Sequence, residues 1–421
     1  MNSNPVVYRV SIKPKNQNDP RSLGYLNDIR ALGIDGVSGI ECSDLYFLRG
    51  DITAEQVRML TDRLLCDTVT HAAEIDCLNM CQDTAGENRS TSAPSGLIEV
   101  ALRAGVTDPV AEQIVRAARI VGIDKLNAAS TGLRFFVKGG NLSEPLLRQL
   151  AERLFANPVI QRYALGVIFP SFTEAVEASG TVEVISLRGL DDDGLMKISA
   201  DRRAALNLNE MKTIQAYCLR EQRDLTDIEF EMLAQTWSEH CVHKTFKSRV
   251  TVEQEDASDP RFPQEYNHLF NQTIRAATRD INADWVLSSF RENAGIVEFD
   301  GENEISFKVE THNHPSAIEP FGGANTGIGG VIRDVIGVSH KPIASTDILC
   351  FGPQNTRLQD LPEGVLHPRR IESGVVAGIE DYGNKMGIPT VNGAVWYDQG
   401  YTANPLVFCG SVGLAPRDSH P

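Results

Sequence analysis

An internal repeat constrains this chain more than any other feature. Residues 6–76 and 98–168 carry the same landmarks in the same order. Asp19-Pro20 matches Asp108-Pro109, Gly33-Ile34-Asp35 matches Gly122-Ile123-Asp124, and Leu48-Arg49-Gly50 matches Val137-Lys138-Gly139, all at an offset of 89 residues. Arg63-Leu64 matches Arg153-Leu154 one residue later. Chance similarity does not hold register over such a span. Each copy reads as strand, helix, strand, strand, helix, strand. The first strands are 6–12 and 98–102, a helix opens at each Asp-Pro, and Phe135, Phe136 and Val137 lie in a third strand. This split β-α-β order predicts two ferredoxin-like copies packed about a pseudo-twofold axis as one α+β unit. Neither copy holds a catalytic cluster, so the pair reads as a docking element. The expected boundaries are 1–78 for the first copy, 79–97 for a polar linker rich in Ser, Thr, Gly and Asn, and 98–185 for the second copy.

Residues 190–248 read as a helical linker domain and 249–421 as an α/β domain. Val182, Val184 and Ile185 suggest a strand, and 190–194 a turn. Met211, Ile214, Cys218 and Leu219 form an apolar stripe, and Thr226 with Glu229 forms a capping box. The helix opened there is expected to carry Leu233, Trp237 and Cys241 on one side and to end in WSEHCVHK, with His240 and His243 at its C-terminus. That end favours a charged imidazole. A helix is expected over 266–281, strands over 341–352 and 405–416, and a long helix followed by a strand over 367–393.

The chemistry concentrates in residues 293–334. Ile305, Phe307, Val309 and Thr311 alternate with Ser306, Lys308, Glu310 and His312, which predicts a strand with the first set buried and the second forming a polar face. His314 joins that face if the strand continues. A cation, a carboxylate and two imidazoles on one face suit a phosphate, a metal, or both. Gly322, Gly323, Gly327, Gly329 and Gly330 follow within nine residues and read as a turn whose amides approach an anion, with Thr326 capping the next helix. Arg333 offers a phosphate fork and Asp334 a hard oxygen ligand for Mg²⁺. Gly327 is followed by Ile328, so this is not a Walker loop, and Ile332 breaks a dinucleotide fingerprint. A zinc site at His312 and His314 is the alternative metal reading, though Glu310 is the only third ligand in evidence. A glycine-rich turn beside hydrogen-bonded histidines is the bland alternative.

KVETHNHPSAIEPFGGANTGIGGVIRD resembles the ATP-binding region of the formylglycinamide ribonucleotide amidotransferase family of purine biosynthesis, over a long and nearly ungapped stretch. WSEHC resembles that family's motif whose histidine is catalytic, DYGNKMGIPTVNG resembles a later family segment, and the repeat resembles the family's small accessory subunit. The resemblance covers nearly the whole chain. It implies an ATP-binding domain of the aminoimidazole ribonucleotide synthase superfamily, with ATP and Mg²⁺ as cofactors. It further implies that Glu310 and Asp334 hold Mg²⁺, that Lys308 contacts ATP, and that Thr311, Asn313, His314 and Arg333 hold formylglycinamide ribonucleotide. His240 and His312 are the implied catalytic pair, and His243 stands where close relatives carry a tyrosine that contacts ATP. The implied reaction is attack of the substrate amide oxygen on the γ-phosphate, followed by displacement with ammonia released from glutamine. No Gly-x-Cys-x-Gly nucleophile turn is present, so a glutaminase domain or subunit is an expected partner. The remaining half of the synthetase module is another, and the isolated chain is expected to be inactive, with an apolar patch where its partner domain packs. The superfamily alternatives are aminoimidazole ribonucleotide synthase, thiamine-phosphate kinase and selenophosphate synthase. The repeat and WSEHC argue against them, and the intact Lys308, Glu310, His312 and Asp334 argue against a non-catalytic scaffold.

The net charge of −16 argues against nucleic acid as the main partner, because phosphate backbones need a basic footprint. No apolar run has signal-peptide or membrane-spanning length. The eight cysteines are scattered, and Cys77 and Cys81, separated by three residues, are a weak metal signal on their own. Reduced thiols in a cytoplasmic protein that contacts no membrane are expected.

Overall fold

The computed structural model describes residues 6–16, 19–78, 96–172, 180–253 and 264–421. The expected linker and Cys81 lie outside them, apart from Gly96 and Leu97. Two compact units emerge, one from Met1–Glu174 with Glu292–Pro421 and the other Ala175–Arg291.

The repeat forms β1 (Val6–Pro14), α1 (Pro20–Ala31), β2 (Val37–Gly50), α2 (Ala54–Leu60) and β3 (His71–Leu78). The second copy forms β4 (Leu97–Leu102), α3 (Pro109–Ile120), β5 (Leu126–Gly139), α4 (Glu144–Leu150) and β6 (Gln161–Ala164). Asp19 and Asp108 cap α1 and α3 with proline in the first turn, as the Asp-Pro pairs predict. Each copy has three strands where four were expected. The expected second and third strands are one, because β2 and β5 each run 14 residues and pair with each other along nearly their whole length. The sheet order is β3-β1-β2-β5-β4-β6.

The central pairing is isologous. Val37 faces Gly139 and Gly50 faces Leu126, while Cys42 faces Phe135 and Tyr46 faces Thr131. At the repeat offset, Val37 meets the counterpart of Gly50 while Gly50 meets the counterpart of Val37, which is twofold symmetry within one chain. The cores obey the same rule. One joins Ile29 of α1 to Leu147 and Leu150 of α4, with Phe135 stacked on Phe155 at 4.1 Å; the other joins Val57 and Leu60 of α2 to Ile114 and Ala118 of α3. Neither copy buries both of its helices within itself.

The second unit holds β7 (Val184–Ile185), α5 (Asp192–Asp201), α6 (Leu208–Glu221), β8 (Leu225–Thr226), α7 (Asp227–Thr236), α8 (Glu239–Val242), α9 (Lys244–Lys247), β9 (Arg249–Val252), β10 (Gln264–Asn267), α10 (Leu269–Gln272), α11 (Ile274–Ile281) and β11 (Val286–Ser288). Met211, Ile214 and Cys218 are buried as expected, whereas Leu219 is exposed. The capping box at Thr226 and Glu229 is present. The α7 helix stops before Trp237, because the Ser238 side chain accepts the Cys241 N–H and starts α8. The expected 266–281 helix is interrupted: 264–267 pairs with β9, and His268 turns the chain at a φ of 69°.

The rest of the first unit contains β12 (Gly295–Glu298), β13 (Asn303–Thr311), α12 (Asn313–Ile318), α13 (Pro320–Gly337), β14 (Lys341–Phe351), α14 (Pro368–Met386), β15 (Thr390–Tyr397) and β16 (Leu406–Pro416). Its strands run β12-β13-β16-β14-β15, with β14 and β15 parallel across the α14 crossover. Helices α13 and α14 cover one face through Ile328, Val331, Ile332, Val375 and Ile379 against Leu349, Phe351, Val407 and Cys409. On the opposite face Phe307 is 47% and Trp396 65% exposed, with Ile348 exposed beside them. No helix among the described residues is long and apolar enough to cross a membrane.

The twofold axis generates a test. A Cβ on Gly50 would lie 2.1 Å from the Lys125 carbonyl oxygen, and one on its counterpart Gly139 would lie 2.0 Å from the Gly36 carbonyl oxygen. Gly140 has open space instead. Gly50→Ala and Gly139→Ala should each cost about 1–3 kcal/mol in denaturant unfolding, while Gly140→Ala should stay within about 0.5 kcal/mol of wild type. Equal, negligible losses at all three positions would contradict this pairing.

Candidate functional site

Two expectations about the central stretch are corrected by the structure. The residues expected to form a phosphate-cradling turn are helical: Gly322 to Gly330 all lie inside α13. Thr326 is not a cap, since its Oγ1 donates to the Gly322 carbonyl within the helix at 2.8 Å. The N-terminus is capped by Glu319, whose carboxylate accepts the Gly322 N–H. The glycines serve close packing. A Cβ on Gly323 would lie 2.5 Å from the Ser316 nitrogen, and one on Gly327 would lie 3.0 Å from His312 Cβ and 3.2 Å from Cys409 Sγ.

The second correction concerns β13. Its covered face is the polar one, with Glu304 and Ser306 fully buried, and its apolar face carries the exposed Phe307. The cause is the neighbouring helix. Lys308 reaches Asp334 on α13 at 3.0 Å, so Lys308 and Glu310 share the helix side with Ser306. Glu304 is accommodated by His340 at 3.0 Å and His420 at 2.8 Å, and burial, which pushes its carboxyl upward, is outweighed by those contacts.

The site is built along this covered face. Lys308 Nζ lies 3.0 Å from Asp334 Oδ2 and 3.8 Å from Glu310 Oε2, and Arg333 Nη2 lies 3.6 Å from Asp334 Oδ1. Two carboxylates thus converge on one ammonium. Asp334 is 16% exposed and Arg333 83%, so the acid is held and the guanidinium is free to swing. The register continues the rows inward: Lys308 faces Ser411, which faces Ser345, and Glu310 faces Cys409, which faces Asp347. The hydroxyls of Ser306, Ser345 and Ser411, Asp347 Oδ1 and His312 Nδ1 are buried without a hydrogen-bond partner. Buried polar atoms are rarely left so unless water, an ion or a ligand meets them.

His312 precedes α12 and is pinned at its backbone: its N–H donates to Val407 at 2.8 Å and its carbonyl accepts Ser316 Oγ at 2.6 Å. Asn313, expected at substrate, uses its Oδ1 to accept the Val407 N–H at 2.8 Å. His314 is exposed, and Thr311 ends β13 with the parity of the open face. His240 and His243 belong to the second unit. His240 is exposed in α8, and His243 takes a left-handed φ of 56° between α8 and α9. The Glu239 carboxylate accepts the Thr245 N–H at 2.7 Å and fastens that turn. Among the described residues no three His, Cys, Asp or Glu side chains are already gathered as a metal cage. Cys42, Cys66, Cys218, Cys241, Cys350 and Cys409 are free thiols.

Sequence reasoning missed Ser345, Asp347 and Ser411. Their signal was polar residues at alternate positions in otherwise apolar strands. Asp347 has the sharpest consequence. Burial is the leading cause that pushes its carboxyl up to about 6, against weak help from Cys409 and from Thr390 at 3.5 Å. In the unfolded chain the group ionises near 3.8. Between those values the folded state keeps a proton that the unfolded state has lost, so stability falls as pH rises from 4 to 6 and is level above. Asp347→Asn should therefore stabilise the chain by about 2–3 kcal/mol at pH 7, and the gain should shrink toward pH 4. A gain that does not change with pH, measured by denaturant unfolding, would contradict this placement.

Comparison with known proteins finds three family models along the chain. Residues 291–415 match the AIR synthase related protein, N-terminal domain. Residues 195–244 match the formylglycinamide ribonucleotide amidotransferase linker domain, and residues 97–168, the second repeat copy, match phosphoribosylformylglycinamidine (FGAM) synthase. The chain is 39% identical over 234 residues to phosphoribosylformylglycinamidine synthase subunit PurL of Thermoplasma volcanium and 40% identical to that of Thermoplasma acidophilum, covering 56% of this chain and 27% of each relative. A structure of Thermotoga maritima PurL complexed with ADP is similar at 30% identity and a TM-score of 0.34, covering 49% of this chain and 27% of that one. The chain thus spans about a quarter of the length of these relatives. An FGAM synthase domain, the amidotransferase linker domain and an AIR synthase related domain are thus each matched, in that order, on one polypeptide.

Proposed function

We propose that this chain supplies the ATP-binding portion of an enzyme of purine biosynthesis, a carbon–nitrogen ligase. The enzyme converts formylglycinamide ribonucleotide to its amidine with ATP and an amide nitrogen from glutamine. The observation that carries this reading is the convergence of Glu310 and Asp334 on the Lys308 ammonium beside a line of unpartnered buried polar atoms. The names of the relatives and the three matched domains point the same way.

The donor set fits Mg²⁺. Two hard carboxylates meet at one cation position, and Mg²⁺ is commonly held by one or two carboxylates together with substrate phosphates. In this reading Glu310 and Asp334 hold the ion, and Lys308 turns toward phosphate. Bound ATP with Mg²⁺ supplies the phosphoryl group and offsets its developing charge. His312, pinned at its backbone and with Nδ1 unpartnered, can hold or move a proton at that nitrogen. His240 of the second unit is its proposed catalytic counterpart, and His243 a proposed ATP contact. Arg333, His314 and Thr311 are exposed, and each is a proposed contact of the ribonucleotide. Asn313 acts on substrate chiefly by fixing the turn that carries His312. A glutaminase and the rest of the synthetase module are the proposed partners, and the cytoplasm, where free thiols persist, the proposed compartment.

The test uses residues 1–421 as purified protein. ATP with Mg²⁺ should bind, and Lys308→Met and Asp334→Asn should each weaken binding at least tenfold with little change in unfolding midpoint. With the ribonucleotide and ammonia added, amidine should form only once the complementary synthetase polypeptide is supplied. His240→Ala should then abolish amidine formation even with ammonia as nitrogen source. A reconstituted complex that turns over normally with Lys308→Met would leave this domain as a non-catalytic scaffold.

A further inference from the structure

A short turn of the second copy joins the duplicated domain to the site-bearing domain, beside a contact of the first copy in which the Asp28 carboxylate accepts Arg369 Nη1 at 3.5 Å. Asn157 is 4% exposed there, and its Nδ2 donates to the Ile318 carbonyl at 2.8 Å. Ile318 is the last residue of α12, and the final carbonyls of a helix lack partners within it. The rest of Asn157 is committed locally: Oδ1 accepts the Val159 N–H at 3.1 Å, and its own N–H donates to Gln161 Oε1 at 2.8 Å. The preceding residue works beside it. The Ala156 carbonyl accepts Arg370 Nη1 at 2.7 Å, and Arg370 lies in the first turn of α14. Two adjacent residues of the repeat therefore hold the end of α12 and the start of α14.

The other end of α12 is fixed by β16 through Val407 on His312 and Asn313. That six-residue helix follows directly on His312 and leads into α13, so the repeat and the sheet together set where His312 stands.

The first copy shows what the second has changed. Arg63-Leu64 and Arg153-Leu154 define the offset of 90 residues in this half of the repeat, which makes Asp67 the counterpart of Asn157. Both make the same local turn, since Asp67 Oδ1 accepts the Val69 N–H at 2.9 Å. Asp67 is exposed, and its second oxygen accepts Thr70 Oγ1 at 2.7 Å. A carboxylate cannot donate. An aspartate at 157 would set an acceptor against the Ile318 carbonyl, leaving both unsatisfied in a buried place.

We propose that Asn157 is a positioning residue: through α12 the second repeat copy holds the His312 segment in place, so the duplicated domain supports the site directly. The functional consequence rests on the reading of that site given above, whereas the positional claim does not.

The test compares Asn157→Asp, Asn157→Ala and, as a control, Asp67→Asn in residues 1–421. Amide hydrogen exchange should accelerate at least tenfold over 312–319 in both Asn157 variants and remain at wild-type rates in β2 and β5. ATP–Mg²⁺ affinity should fall several-fold while the unfolding midpoint moves little. Asp67→Asn should leave exchange over 312–319 unchanged. Unchanged exchange over 312–319 in Asn157→Asp would overturn the proposal, and so would a uniform rise across the first unit. If wild type binds no ATP–Mg²⁺ yet the exchange changes as described, the positional claim stands and the functional reading fails.

Discussion

The site depends on how closely α13 can lie on its sheet. Gly323 and Gly327 leave no room for a Cβ against Ser316, His312 and Cys409. Gly329 meets Tyr382 of α14 in the same way, and Gly374 and Gly378 of α14 meet Pro320 and Phe321. Five glycines between 322 and 330 cost a helix roughly 1 kcal/mol each relative to alanine. Burial of Ala324, Ile328, Val331, Ile332 and Val335 offsets that loss. What the close approach provides is placement. It brings Asp334 within 3.0 Å of Lys308 and roofs a row of serines, an aspartate and a histidine that an ordinary helix–sheet contact would fill with apolar side chains.

The duplicated domain obeys a different constraint. Its two copies share both cores, each formed by the first helix of one copy and the second helix of the other. Duplication is thus required for burial, since one copy alone leaves each helix half covered. Symmetry also frees one copy to diverge. The Asp67 and Asn157 turns have the same backbone role, and the second also holds Ile318 at the end of α12.

The repeat, its offset, the Asp-Pro helix starts and the Thr226 capping box were legible in the sequence because local chemistry alone decides them. Lys308, Glu310 and Asp334 were legible as a group, and the fold does gather them. The reading failed where packing overrides local preference. Alternation in β13 was visible, but which face is covered depends on α13, and the helix chose the polar one. Clustered glycines favour a turn locally, yet here they serve contact between a helix and its neighbours. The continuous 14-residue β2 was hidden because its length is set by β5, some ninety residues away. Ser345, Asp347 and Ser411 gain meaning only from their register across three strands.

The central claim is that nucleotide and its metal occupy the covered polar face between β13 and α13. Its most direct test is a crystal structure of residues 1–421 with a non-hydrolysable ATP analogue and Mn²⁺ in place of Mg²⁺, read by anomalous scattering. The account predicts a metal peak within coordination distance of Glu310 and Asp334, with Lys308 turned from the carboxylates toward phosphate oxygens. Nucleotide and metal bound elsewhere, with Lys308 still bridging Glu310 and Asp334, would contradict it.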